Sequence, residues 1–239
     1  MPTQLDLSGL DLRGAIFSDA QLNGALLRDS LLTGADFTGA QLERCYFDRS
    51  WLNLATLDYA ELREASLRGA MLQESSLKRV SLRCADLRHS NLFRANLAGA
   101  DLTDAYLTEA NLSKTKLELA QFCRATIDYC DFEAANMAGI DLSEALATRS
   151  NLVEAVLDGA DLSGALLNEA RLSRASLVEV DMRNANLSRA DLRNADVLGA
   201  RFEGAILSEA NLYGIRLQDL HRAGADLTQT TLVDELFGE

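Results

Sequence analysis

Ala95-Asn96-Leu97-Ala98-Gly99-Ala100-Asp101-Leu102-Thr103-Asp104 contains two copies of a five-residue repeat. The same phase runs from residue 5 to residue 217 with no insertion or deletion. Every position ending in 2 or 7, from Leu7 to Leu217, carries an apolar residue, mostly Leu, with Phe at places such as Phe37 and Phe122. Two residues before it stands a small one, usually Ala. A five-residue step fits neither regular element. On an α-helix it turns the direction by about 140°, so the Leu residues would spiral round the rod and mark no face. On a flat strand five is odd, and successive Leu side chains would point to opposite sides. Both difficulties vanish if each repeat is a short extended piece followed by a bend. Ala95 and Leu97, two apart, then point the same way, and the next two residues turn the chain so that the following pair also faces inward. The chain winds round its own core and stacks on itself as a solenoid.

The strings Ala95-Asn96-Leu97, Ala100-Asp101-Leu102 and Ala190-Asp191-Leu192 resemble the repeat of the pentapeptide repeat proteins. The resemblance covers most of the chain and implies an all-β fold, a right-handed quadrilateral β-helix with four repeats to a coil. The period alone does not separate three sides from four. With about 20 residues per coil and roughly 4.8 Å between stacked strands, about 12 coils and a rod roughly 55 Å long are expected. The unbroken phase predicts a single domain over residues 1–239, with regular repeats over 5–219 and a short C-terminal cap over 220–239. Leu5 and Leu10 at the start, and Ile215 and Leu220 at the end, take the place of the small residue and read as plugs for the open ends. Ala147 is the one undersized occupant of a Leu position, a weak point unless Met137 or Ile140 fills the gap.

The single proline is Pro2, and no Gly/Ser/Pro-rich stretch marks a linker. No apolar run is long enough to span a membrane, and the start of the repeat at residue 5 predicts no signal or transit peptide. Cys45 and Cys130 fall at inward positions and Cys84 and Cys123 at outward ones, each pair too far apart to bridge, which predicts free thiols and a cytoplasmic home. The net charge of −13 disfavours direct binding to nucleic acid or to an anionic membrane. The charge is uneven, because residues 51–100 hold more bases than acids. His89 and His221 lack partners at metal-ligand spacing, and no Gly-rich phosphate loop or nucleophile with a neighbouring base appears. The reading is a non-enzyme with no cofactor and no metal.

Residues 20 apart stack, so three outer surfaces stand out. Asp101, Gln121, Asp141, Asp161 and Asp181 form an acidic column flanked by Asp104, Glu144 and Asp158. It either imitates the phosphates of a DNA strand or supplies hydrogen-bond acceptors for the turns. A basic block, Arg63, Arg68, Arg83 and Arg88 with Lys78, Arg79 and Arg94, either holds an acidic partner or pairs with local acids such as Glu64 and Asp86. The third surface is apolar. Leu26 and Tyr46 stack on one side, and Leu31, Trp51 and Met71 on the next beside Leu54, at places where the repeat elsewhere sets Asp or Asn. Clustered outward aromatics point to an interface. A lesser group, Leu146, Leu166 and Val156, flanks the acidic column.

The function expected is a non-catalytic protein-binding solenoid. The resemblance to acidic stand-alone members that protect DNA gyrase implies a DNA mimic with gyrase or topoisomerase IV as partner. The competing expectation is an adaptor that docks a protein of a signalling or secretion assembly through the Trp51 patch. At the far end Thr230-Thr231-Leu232-Val233-Asp234-Glu235-Leu236-Phe237 reads as a capped helical turn. The resemblance implies a twofold dimer there, with Leu232, Val233, Leu236 and Phe237 in the contact.

Overall fold

The computed structural model describes residues 4–216 and 218–219. Every bridge between Asp6 and Asn211 is parallel and joins a residue to the one 20 positions on, so four repeats separate stacked residues. The bridges form four columns. The first runs from Gln21 through Asp101 to Arg201, the second from Asp6 to Ile206, the third from Asp11 to Asn211 and the fourth from Ile16 to Asp196. The bridged residue points outward, and the residues on either side of it point in. Leu97, Leu117 and Met137 are wholly buried, as are Ala95 and Ala135, while Thr115 is 1% exposed. The Phe17 and Phe37 rings lie parallel at 4.8 Å, one coil apart, and Phe37 meets Phe47 edge to face at 5.7 Å. Truncating one such buried side chain costs about 2–5 kcal/mol.

One repeat shows how the backbone is satisfied. Leu97 N–H donates to the Lys116 carbonyl at 2.7 Å, Gly99 N–H to Glu118 at 2.9 Å, and Asp101 N–H back to Val80 at 2.9 Å. Ala100 N–H closes the bend on the Leu97 carbonyl at 2.9 Å. Three of these bonds tie neighbouring coils together and one shapes the corner. The remaining N–H, that of Ala98, has no main-chain acceptor; the Asn96 side chain accepts from it at 3.1 Å. A repeat of five donors therefore needs one acceptor from a side chain, which is a physical reason for Asp or Asn before the Leu.

The second corner residue carries the conformational load. Every position ending in 4 or 9, from Gly9 to Gly214, has φ between 53° and 83°, and most of these residues are not glycine. The left-handed conformation costs an L residue on the order of 1 kcal/mol. It is accepted because this residue's N–H bonds to the next coil while the corner closes. Glycine eases this bend but is not required for it, since Leu119, Tyr129 and Arg149 adopt the same conformation.

Small inward polar residues are satisfied locally. Ser50 and Thr115 hydroxyls donate to the carbonyls of Phe47 and Leu112 at 2.7 and 2.6 Å. The buried Cys45 thiol donates to Leu22 at 2.9 Å, and burial pushes its pKa up to about 11. The same cause raises that of Cys130. One expectation is corrected. Leu5 and Leu10 are 48% and 46% exposed and do not seal the first coil, because an inward chain in the outermost coil has a packing partner on one side only. Ile215 does pack against the core at the other end, whereas Leu220 lies outside the described residues.

Candidate functional site

The acidic column forms as predicted, for Asp101, Gln121, Asp141, Asp161 and Asp181 are successively bridged. Each of its acids also serves the backbone. Asp101, Asp141, Asp161 and Asp181 accept from the N–H groups of Thr103, Ser143, Ser163 and Arg183 at 2.9–3.1 Å. The same bond is made by Asp and Asn at this place in the other columns, such as Asp36, Asn91 and Asn186. Where the place holds another residue, an Asx at the first corner position one coil back can replace it. Asp58 accepts from Lys78 N–H, whose own repeat has Ser76, and Asp128 accepts from Thr148 N–H, whose repeat has Leu146.

The ends of the acidic column are neutralised. Arg83 lies 3.1 Å from Asp101, and Arg183 and Arg201 lie 2.6 and 3.4 Å from Asp181. The Arg183 guanidinium holds the Asp181 carboxyl below the usual carboxylate range against the opposing effect of partial burial. Burial raises Asp101, but bonds from Thr103 and Arg83 outweigh it and the net shift is downward. Beside the column Asp104 pairs with Arg124 at 2.8 Å. Asp141, Asp161 and Glu144, by contrast, make no ion pair within the described residues.

The apolar face is built in the third column, where Leu31, Trp51 and Met71 are successive bridge partners. Trp51 is 50% exposed, and Leu54 at the adjoining corner is 59% exposed. The next residues up the same column are Asn91, Asn111 and Asp131, so the apolar stretch is confined to the lower coils. Tyr46 belongs to the second column, one corner away; it is half-buried, with the Arg28 guanidinium 4.3 Å from its ring centre. Leu146 and Leu166 bridge each other farther up that column, whereas Val156 lies in the fourth. Leu232, Val233, Leu236 and Phe237 lie outside the described residues.

The basic block pairs locally in part. Arg63 reaches Glu64 at 3.3 Å, though Glu64 already holds Arg44 at 2.8 Å. Arg88 takes both oxygens of Asp86, which leaves Arg68 a 3.8 Å contact with the same carboxylate. The structure adds a feature that sequence reasoning missed, an open hollow of about 590 Å³ in front of Ser66 and Gly69. Its signal was present in the columns. Ser66 and Gly69 are small, while Tyr46 and Arg49 below them and His89 above are large. Among the described residues no group of His, Cys, Asp and Glu could hold a metal ion, and no helix is long and apolar enough to cross a membrane.

The sequence matches the family described as pentapeptide repeats in eight copies, the first over residues 3–29 and the last over 185–229. Among solved structures it is similar to HetL, a pentapeptide repeat protein involved in heterocyst differentiation regulation from the cyanobacterium Nostoc. The two are 30% identical over 87% of this chain and 89% of HetL, with a TM-score of 0.72. QnrB1, a plasmid-mediated fluoroquinolone resistance protein, shares the fold at 18% identity. The match covers 92% of this chain and all (100%) of QnrB1, with a TM-score of 0.55. No curated protein matches the sequence.

Proposed function

The chain belongs to the pentapeptide repeat family, and from that premise we propose that it is a non-catalytic scaffold that docks a partner protein through its outer surface, with the Trp51 face as the principal contact. The observation that carries this reading is the exposure of Trp51 beside Leu31, in a column that elsewhere presents mostly Asn or Asp, with exposed Leu54 at the adjoining corner. Half-exposed aromatics in an otherwise polar column contribute little to folding and much to an interface. HetL, whose own role is regulatory, makes an adaptor the nearest functional analogy. The four columns are read as the sides of a right-handed quadrilateral β-helix of about 12 coils, which offers long flat faces to a partner. The test is capture of a partner by the full chain. The reading expects capture to be lost on Trp51→Ala and kept when Asp141, Asp161 and Asp181 are all changed to Asn. The reverse pattern refutes it.

A second reading, a DNA mimic that protects gyrase, is favoured by one observation: Asp141, Asp161 and Glu144 are free of ion pairs within the described residues. The paired Asp101 and Asp181 shorten the acidic run that could imitate a phosphate strand. The triple Asn variant suits this test as well, because Asn keeps the acceptor for the corner N–H and removes only the charge. Protection of gyrase supercoiling against a poison, lost in that variant, would establish mimicry.

A further inference from the structure

The hollow in front of Ser66 and Gly69 lies one corner away from Trp51. The second column reads Tyr46, Ser66, Asp86, Tyr106, so a small side chain stands between larger ones. At the corner Gly69 lies between Arg49 and His89; a methyl group added there would touch only Arg49 Cγ, at 3.7 Å. Three guanidiniums, Arg28, Arg49 and Arg68, line the hollow against two carboxylates, Asp48 and Asp86. Arg28 is engaged with Asp48 at 3.2 Å and with the Tyr46 ring. Arg49 is turned away, to Asp29 at 2.7 and 2.8 Å. Arg68 is left over. Its only recorded partner within the described residues, Asp86, is committed to Arg88, and its side chain is 52% exposed.

We propose that this hollow receives a carboxylate-bearing segment of the docked partner, with an acidic side chain on Arg68 and adjoining apolar side chains on the Trp51 face. The proposal rests on the docking reading given above and names the chemistry of the partner. A guanidinium with spare donors is satisfied best by a carboxylate, which it can hold through two parallel bonds. A nucleic acid strand, charged at every residue, meets more repulsion from Asp48, Asp86 and the chain's net −13 than an acidic side chain set among aliphatic ones does. The apolar stretch beside the hollow calls for a partner that alternates acidic and aliphatic residues, which a peptide supplies and a phosphate backbone does not.

Trp51 is the only tryptophan, so its emission reports on this surface alone. The full chain is titrated with a short amidated peptide of Glu-Glu-Leu units. Parallel titrations use the same peptide with Gln for Glu, the same peptide with Lys for Glu, and a single-stranded oligonucleotide. The proposal expects a saturable emission change with the Glu peptide, weakened about fivefold or more by Arg68→Gln and further by Arg68→Glu. Circular dichroism of both variants should match the parent. Absence of saturation with the Glu peptide, equal binding of the Gln or Lys peptide, tighter binding of the oligonucleotide, or indifference to Arg68 overturns it. Binding of the Gln peptide with no dependence on Arg68 would leave docking at Trp51 standing while removing the acidic partner. Partner capture that survives Trp51→Ala would remove the docking reading itself.

Discussion

Asp161 offers a direct test of why the repeat carries an acid or amide before its Leu. Its Oδ1 accepts from Ser163 N–H at 2.9 Å, the one donor of its repeat for which the main chain provides no acceptor. Asp161→Ala removes that acceptor from a half-exposed N–H that water can partly reach. The expected loss is about 1 kcal/mol, within the usual range for one hydrogen bond. For a chain of this length that lowers the melting temperature by roughly 2–4 °C. Asp161→Asn retains the oxygen and should cost less than about 0.5 kcal/mol. The corner geometry adds a rescue. Lys78 and Thr148 obtain the same bond from Asp58 and Asp128, each one coil back at the first corner position. For Ser163 that position is Ser143, so Ser143→Asn placed in the Asp161→Ala background should recover most of the loss. Thermal unfolding followed by circular dichroism gives all four values. If Ala and Asn at 161 are equally destabilising, the role is one of charge and the argument fails. If the double variant is no better than Asp161→Ala, the cross-coil replacement is wrong.

Packing and titration give four further expected outcomes. Leu97→Ala should cost about 2–5 kcal/mol in denaturant unfolding, and Ala100→Phe about 1–3 kcal/mol, because both positions are wholly buried. In the native protein a thiol reagent should modify Cys84 and Cys123, while Cys45 and Cys130 react only after unfolding. Burial favours the neutral Cys45 thiol, so its contribution to stability is complete below the ordinary thiol pKa near 9 and is lost as pH rises toward about 11. Cys45→Ala should flatten that alkaline decline, and an unchanged profile would discount the thiol. The lowered Asp181 acts in the opposite sense: its contribution is present above the ordinary carboxylate pKa and lost as pH falls through the depressed value. Asp181→Asn should therefore reduce the acid sensitivity of unfolding.

Which side chains face in was legible before any coordinates, and so was the stacking of Asp141 on Asp161 and of Trp51 on Leu31. Both follow from a local rule, the alternation of an extended segment plus a fixed bend, which repeats without error through the chain. The period could not say how many repeats close a coil, since that number is set by which residues meet after one circuit. Nor could it separate the two roles weighed for the acidic column. Both roles involve contacts that only the assembled coils reveal, an N–H at the corner and arginines such as Arg83 and Arg201, 18 or 20 residues away from the acids they pair with. The hollow at Ser66 left a trace in the columns, small residues between large ones, but its shape came only from neighbours in three coils. Leu5 and Leu10 stand at inward positions of the repeat yet are half exposed, because a buried position requires a coil on each side and the outermost coil has only one. Periodicity along the chain thus decided direction, inward or outward. Contact between coils decided pairing, charge balance and shape.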